Sequence, residues 1–192
     1  MPKDPIAAVI FDMDGTITQP VIDWQQLRQR IGAPPERPIM DHIRALPEPD
    51  QSEATTILLE TEWAATDQVP LNVGFTELYK EIRDLGLKTA VVTNNHGAAL
   101  QNVLTQHGLT FDVALSRDDG ELKPAPDLIL LALNRLGCHP EQAIGIGDSR
   151  LDVESCQQAD VRCIYLTHGT PKFPHTPSVA NLADARKHLS LT

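Results

Sequence analysis

Two aspartates one residue apart, Asp12 and Asp14 in the run AVIFDMDGT, make the most chemically loaded pair in the chain. The four residues ahead of Asp12 are small, β-branched or aromatic, which suits a strand buried on both faces. Side chains repeat every two residues along an extended backbone, so both acids leave the strand end on one side, with Gly15 opening the turn. Two carboxylates roughly 4 Å apart repel by about 4 kcal/mol at an intermediate dielectric, so such a pair calls for a shared proton or a divalent cation. Asp and Gly are also ordinary turn residues after a core strand, and the pair alone decides nothing. A calcium loop of the EF-hand kind fits worse: it needs glycine sixth from its first Asp and a glutamate twelfth, whereas Gly15 is fourth.

Three further groups fall just past apolar runs: Thr93 with Asn94, Lys123, and Asp148 with Asp152. Taken singly, each has a plain explanation. Thr93 can satisfy the amides of a following helix, Lys123 in GELKPAPD can be a solvated loop lysine, and Asp152 can be a first-turn acid favoured by a helix dipole. Together they make a phosphate site, with a hard cation for the phosphoryl oxygens, a hydroxyl and backbone amides as donors, and an ammonium to offset developing charge. Asp152 lies one helical turn beyond Asp148, so both carboxylates can help hold one cation. No serine, cysteine or histidine is placed as nucleophile. That leaves Asp12 to attack, forming an aspartyl-phosphate, and Asp14 to give a proton to the leaving group and later take one from water.

The elements that must position these groups alternate. Strands are expected over residues 87–92, 111–115, 143–146 and 162–166, with helices between them: a stripe of Phe75, Leu78, Ile82 and Leu85, another of Ala99, Val103 and Leu104 closed by Gly108, one starting after Pro126, and one running to about Ala159. This pattern predicts an α/β fold with a doubly wound parallel sheet and ligands outside the carboxyl ends of its strands. Residues 178–189 read as a closing amphipathic helix. Residues 20–69 carry helical signals only: Asp23 capping a segment with Trp24, Leu27 and Ile31, a short helix with Ile39, Met40, Ile43 and Leu46, and a third behind Asp50 and Glu53 as a capping box. The expected organisation is a core of residues 1–19 and 70–192 with a small helical cap, residues 20–69, inserted in it.

The 192 residues, 41% hydrophobic and 22% charged, suffice for one good-sized core plus a small accessory unit. Sixteen basic against 26 acidic residues give a net charge of −10, which argues against nucleic acid or an anionic membrane as the main partner. Cys138, Cys156 and Cys163 are odd in number and lack CxxC spacing, as expected of reduced thiols in a cytoplasmic protein without a zinc site. The N-terminal residues hold an aspartate before any long apolar run, so neither a secretory signal nor a membrane span is expected. No obligate protein partner is evident.

FDMDGT, VVTN, the lysine of LKPAPD and GIGDSRLD resemble, in order, the four motifs of the haloacid dehalogenase superfamily in its capped phosphatase branch, the group of phosphoglycolate phosphatases and β-phosphoglucomutases. The resemblance runs from about Val9 to Leu166. It implies Asp12 as nucleophile and metal ligand, and Asp14 as general acid and base whose main-chain oxygen also meets the metal. It further implies Thr93 and Asn94 on the phosphoryl group, Lys123 bridging nucleophile and phosphate, Asp148 on magnesium, and Asp152 supporting that site. Dehalogenating members replace the second acid, so Asp14 favours phosphoryl chemistry. Asp160 stands where many relatives have glycine, and aspartate can adopt the left-handed geometry needed there.

The activity implied is magnesium-dependent hydrolysis of a small phosphorylated metabolite, with the short insertion setting the substrate. Arg28, Arg30, Arg37, His42 and Arg44 could reach an anion but read as solvated, and Trp24 and Trp63 read as cap core. A sugar phosphomutase of the same family would use the same groups. A receiver-type phospho-acceptor domain would put its acceptor on the third strand and carry no cap. A dinucleotide fingerprint at Gly145-Ile146-Gly147 fails because Arg150 stands where the third glycine belongs.

Overall fold

Residues Ala8-Val9-Ile10-Phe11 form strand β1 (Ala8–Phe11), wholly buried at the middle of a parallel sheet in a computed structural model that describes residues 5–189. The N-terminal reading of residues 1–4 lies outside the described residues. Three helices follow, α1 (Trp24–Ile31), α2 (Ile39–Arg44) and α3 (Asp50–Thr66), and then the alternation begins: α4 (Phe75–Asp84), β2 (Lys88–Val92), α5 (Gly97–His107), β3 (Val113–Leu115), α6 (Asp127–Leu136), β4 (Ala143–Gly147), α7 (Arg150–Gln158), β5 (Arg162–Leu166), β6 (Ser178–Val179) and α8 (Leu182–Ala185). The strand order is β3-β2-β1-β4-β5-β6, all parallel, with Phe11 level with Val91 on one side and Ile146 on the other.

Alternation along β1 explains the two layers. Val9 and Phe11 face a cluster with Phe75, Leu78 and Ile82 of α4, Leu100 and Val103 of α5, and Leu182 of α8. Ala8 and Ile10 face the other way, onto Leu128, Ile129 and Leu133 of α6 and Val153 and Cys156 of α7. A strand flanked by hydrogen-bonded neighbours and covered by helices on both faces must be apolar at every position, as this one is. β1 is also where the strand order reverses, since β2 lies on one side and β4 on the other; the crevice at the carboxyl end of such a strand is where doubly wound sheets bind ligands.

Helices α1 to α3 have an apolar cluster of their own, built from Leu27, Ile31, Ala33, Ile43, Ala54 and Leu58. The chain leaves and re-enters the sheet domain side by side: Gln19 N–H donates to Pro70 O at 3.0 Å, and Thr18 bridges Leu71. Asp23 Oδ1 accepts from Gln26 N at 2.9 Å, capping α1 as its sequence position implies.

Four expectations are corrected. Residues 178–189 are not one helix: Ser178 and Val179 extend the sheet beside Tyr165 and Leu166, and Asn181 caps the short α8 by accepting from Asp184 N. Asp50 and Glu53 make no capping box, because α3 starts at Asp50 itself and Glu53 N donates to the Pro49 carbonyl. Trp24 and Trp63 are 43% and 51% exposed and so are not cap core; smaller residues fill that cluster. The strand expected over residues 111–115 is three residues long, and Phe111 instead packs against Phe11 and Tyr79. Asp160 does adopt a left-handed φ of 57° at the end of α7. Among the described residues no helix is long and apolar enough to cross a membrane, and all three cysteines are free.

Candidate active site

At the carboxyl end of β1 the backbone stops pairing as a strand, and the amides of Thr16, Ile17 and Thr18 all turn back to the Met13 carbonyl. This tight loop, with buried Met13 pointing into the core, sends Asp12 and Asp14 to different partners. Asp12 Oδ1 accepts from Lys123 Nζ at 2.6 Å, whereas Asp14 Oδ2 accepts from Asn95 Nδ2 at 2.7 Å.

Lys123 is the hub. Only 5% exposed, it is no solvated loop lysine: its ammonium donates to Asp12 Oδ1, to Asp152 Oδ1 at 2.5 Å and to the Val92 carbonyl at 3.0 Å, which uses all three donors. Burial disfavours its charge, but Asp12 and Asp152 outweigh that and hold its pKa well above the usual lysine value. Asn94 secures the loop that delivers it, donating from Nδ2 to Lys123 O and accepting at Oδ1 from Lys123 N, both at 2.9 Å. Its carboxamide is therefore engaged with the protein. Thr93 is buried, and its Oγ1 accepts from Asn95 N at 3.1 Å.

Asp152, in the first turn of α7, has both oxygens occupied: Oδ1 by Lys123, and Oδ2 by the Ser149 hydroxyl at 2.5 Å and the Ser149 amide at 3.0 Å, a reciprocal cap at the helix start. Asp148 stands at the end of β4 beside β1. Asp12, Asp148 and Asp152 present oxygens that all lie within 4.8 Å of one another; the carboxylate of Asp14 is not in that group.

Three acids around one ammonium leave negative charge unbalanced, and the titration behaviour reflects it. Burial first, then Asp152, push the Asp12 carboxyl well above its usual range against the pull of Lys123. Burial and Asp152 raise Asp148 to about 6; burial raises Asp14 to about 6, opposed by Lys123 and helped by Asp148. Gly15 makes room for this cluster. It sits at φ 80°, and a Cβ on it would lie 2.3 Å from Asp148 Oδ2. Hard carboxylate oxygens, an uncompensated negative charge and a backbone cut back to admit Asp148 together fit a small divalent cation held by oxygens.

A family model described as haloacid dehalogenase-like hydrolase matches residues 20–166. The chain belongs to that family. Among relatives of this haloacid dehalogenase-like hydrolase, the phosphoglycolate phosphatase of Nitrosococcus oceani is 27% identical, the match covering 84% of each chain. Protein CbbY of Cereibacter sphaeroides is also 27% identical over 83% of each chain. The crystal structure of CbbY from Rhodobacter sphaeroides in complex with phosphate shares the fold, with a TM-score of 0.73, 22% identity and coverage of 94% of this chain and 96% of that one.

The structure thus brings Asp12, Lys123, Asp148 and Asp152 together directly, with Asp14, Thr93 and Asn94 on the adjoining loops. Of the cationic residues in 20–69, Arg28 donates to the carbonyls of Pro34 and Arg37, His42 Nε2 meets Ile31 O, and Arg44 lies loosely near Asp41 and Glu121. Sequence reasoning missed Asn95, Ser149 and a trio of buried Glu62 with the half-buried His96 and Arg117. Ser149 had a readable signal, its place three residues ahead of Asp152 at a helix start. Glu62 had none, being one acid among several on a polar helix.

Proposed function

We propose that the chain hydrolyses a small phosphorylated metabolite, releasing inorganic phosphate through an aspartyl-phosphate on Asp12, with magnesium as cofactor. The observation that carries this reading is the Lys123 ammonium held between Asp12 and Asp152 with Asp148 alongside: a nucleophilic carboxylate next to a fixed positive charge at the switch point of the sheet. The relatives named phosphoglycolate phosphatase support the substrate class.

An oxygen of Asp12 attacks phosphorus, and the bond from phosphorus to the ester oxygen breaks. The electron pair leaves with that oxygen, which takes the proton of Asp14; the amide of Asn95 on Asp14 Oδ2 leaves the other oxygen to carry it. Water then attacks the aspartyl-phosphate, gives its proton back to Asp14, and frees Asp12 and phosphate. Lys123 screens the charge gathering on the nucleophile and the phosphoryl oxygens. Thr93 contributes its hydroxyl, and Asn94, its carboxamide engaged, serves by fixing Lys123 and through its main-chain amide. Asp12, Asp148 and the main-chain oxygen of Asp14 would hold the magnesium, with Asp152 supporting from behind. Magnesium, when bound, supplies further neutralisation of the phosphoryl oxygens.

The helical insertion, residues 20–69, acts in this reading as a cap that restricts the site to small esters. The enzyme works in the reducing cytoplasm, on a soluble metabolite, without nucleic acid, membrane or an obligate protein partner. The test is phosphate release from a panel of phosphorylated metabolites with magnesium, comparing the parent with Asp12→Asn. The parent should release phosphate and the variant none. Turnover by Asp12→Asn at the parental rate, or isomerisation of a sugar phosphate in place of phosphate release, would exclude the proposal.

A further inference from the structure

The inward face of α3 runs Ala54, Leu58, Glu62, Thr66, one residue per turn. Ala54 and Leu58 fill the cluster of the insertion, but the third position is a carboxylate only 2% exposed. Burial raises Glu62 to about 7 against the pull of Arg117. An apolar side chain at such a position is often neutral or stabilising relative to a buried ion pair, so packing does not account for an acid here. The pairing is also incomplete. Glu62 Oε1 accepts from Arg117 Nη1 at 2.7 Å, while Oε2 faces His96 Nε2 at 3.8 Å, and neither of those two buried atoms has a hydrogen-bond partner among the described residues.

What Arg117 touches next gives the pair a purpose. Its guanidinium reaches the Asn94 carbonyl at 3.4 Å, and its main-chain amide donates to the Asn95 carbonyl at 3.0 Å. Asn95, 3% exposed, in turn donates to Asp14 Oδ2. An unbroken series of polar contacts therefore leads from the insertion, through Arg117 and the loop after β2, to the carboxyl group assigned as proton donor. We infer that Glu62 and Arg117 are positioning residues for Asp14: with α3 seated on the core, Glu62 fixes Arg117, Arg117 fixes the loop of residues 94–95, and Asn95 thereby aims Asp14 at the leaving oxygen. The inference rests on the assignment of Asp14 as general acid.

Leaving-group dependence separates aiming a proton donor from mere structural support. An alkyl phosphate must have its departing oxygen protonated as the bond to phosphorus breaks, whereas p-nitrophenolate departs without a proton. Glu62→Gln, near-isosteric, and Arg117→Lys, which keeps the charge but loses the guanidinium fork, are each compared with the parent on p-nitrophenyl phosphate and on an alkyl phosphate, with Asp14→Asn as reference. Each variant should lower kcat/KM, which reports only the steps up to departure of the leaving group and not the later attack of water, about tenfold or more for the alkyl ester, a part of the 10²- to 10⁴-fold that a general acid supplies, and by less than about threefold for the aryl ester. Equal losses on the two substrates, or none, would overturn the inference, and either variant decides it alone if the other does not fold. Were Asp14→Asn itself to lose kcat/KM equally on both esters, the acid assignment would fall and the inference with it. Equal losses for Glu62→Gln and Arg117→Lys beside a selective loss for Asp14→Asn would sink the positioning role only.

Discussion

Lys123→Met is the most exacting perturbation of the site, because it removes one charge and keeps the apolar stem. All three donors of the ammonium are engaged, two of them on carboxylates at 2.6 and 2.5 Å. Taking away one partner of a buried ion pair costs about 3–5 kcal/mol, since the other charge is left in a poor solvent. Here two acids would be stranded, and Asp12 can escape part of that penalty by taking up a proton. The direction with pH follows. Lys123, with its folded pKa raised, contributes stability that is lost only as pH rises through that folded value, so it stays charged across the neutral range. The pH window is therefore set by the acids. A carboxylate whose folded pKa lies above its unfolded value destabilises the fold as pH rises from the unfolded value through the folded one, and removing Lys123 raises Asp12 further. The stability gap between parent and variant should be small near pH 4 and open as pH rises toward 8. About 3 kcal/mol at the upper end corresponds to roughly 6–12 °C in Tm for a domain of this size. Thermal and urea unfolding in chelator at several pH values measures it. A variant as stable as the parent at pH 8, or a gap that narrows as pH rises, would refute the placing of Lys123 as the ion-paired hub of the site.

Two further outcomes follow from neighbouring residues. Gly15→Ala places a Cβ 2.3 Å from Asp148 Oδ2 at a φ of 80°; the left-handed backbone alone should cost about 1 kcal/mol, or roughly 2–4 °C in Tm, and the displaced Asp148 should raise the magnesium concentration for half-maximal activity. A fall in Tm with an unchanged magnesium requirement would show that the glycine serves only the turn. Glu62→Gln should flatten the pH dependence of stability between about 4.5 and 7, because burial raises Glu62 over that interval in the fold and the parent therefore loses stability as pH climbs through it. Urea midpoints across that range test this, and an equally steep parent and variant would count against it.

The frame of the site was legible because its elements obey strong local rules. An apolar run ending in acids reads as a buried strand with a charged tip, and strands alternating with helices admit few arrangements besides a doubly wound sheet, which is what Ala8–Phe11 and its neighbours form. Legibility failed where tertiary contact overrides local preference. Ser178 and Val179 lie in a stretch with helical spacing, but the open edge of β5 offers hydrogen bonds that a first helical turn cannot match. Trp24 and Trp63 look like core from their side chains alone, yet the insertion is small and its cluster is already filled by Leu27, Ile31 and Leu58. Asn95 and Glu62 were unreadable for another reason: each is an ordinary polar residue in sequence, and what sets it apart is a partner far along the chain, Asp14 for the one and Arg117 for the other. Asp12 and Asp148, proposed above as nucleophile and metal ligand, sit at strand ends, where position along a β-strand dictates the direction of a side chain, while Lys123 and Asp152 follow on the loop after β3 and in the first turn of α7. The groups that aim them sit on whichever surface happens to face them, so for this fold the reacting residues are written in local pattern and their alignment only in contact.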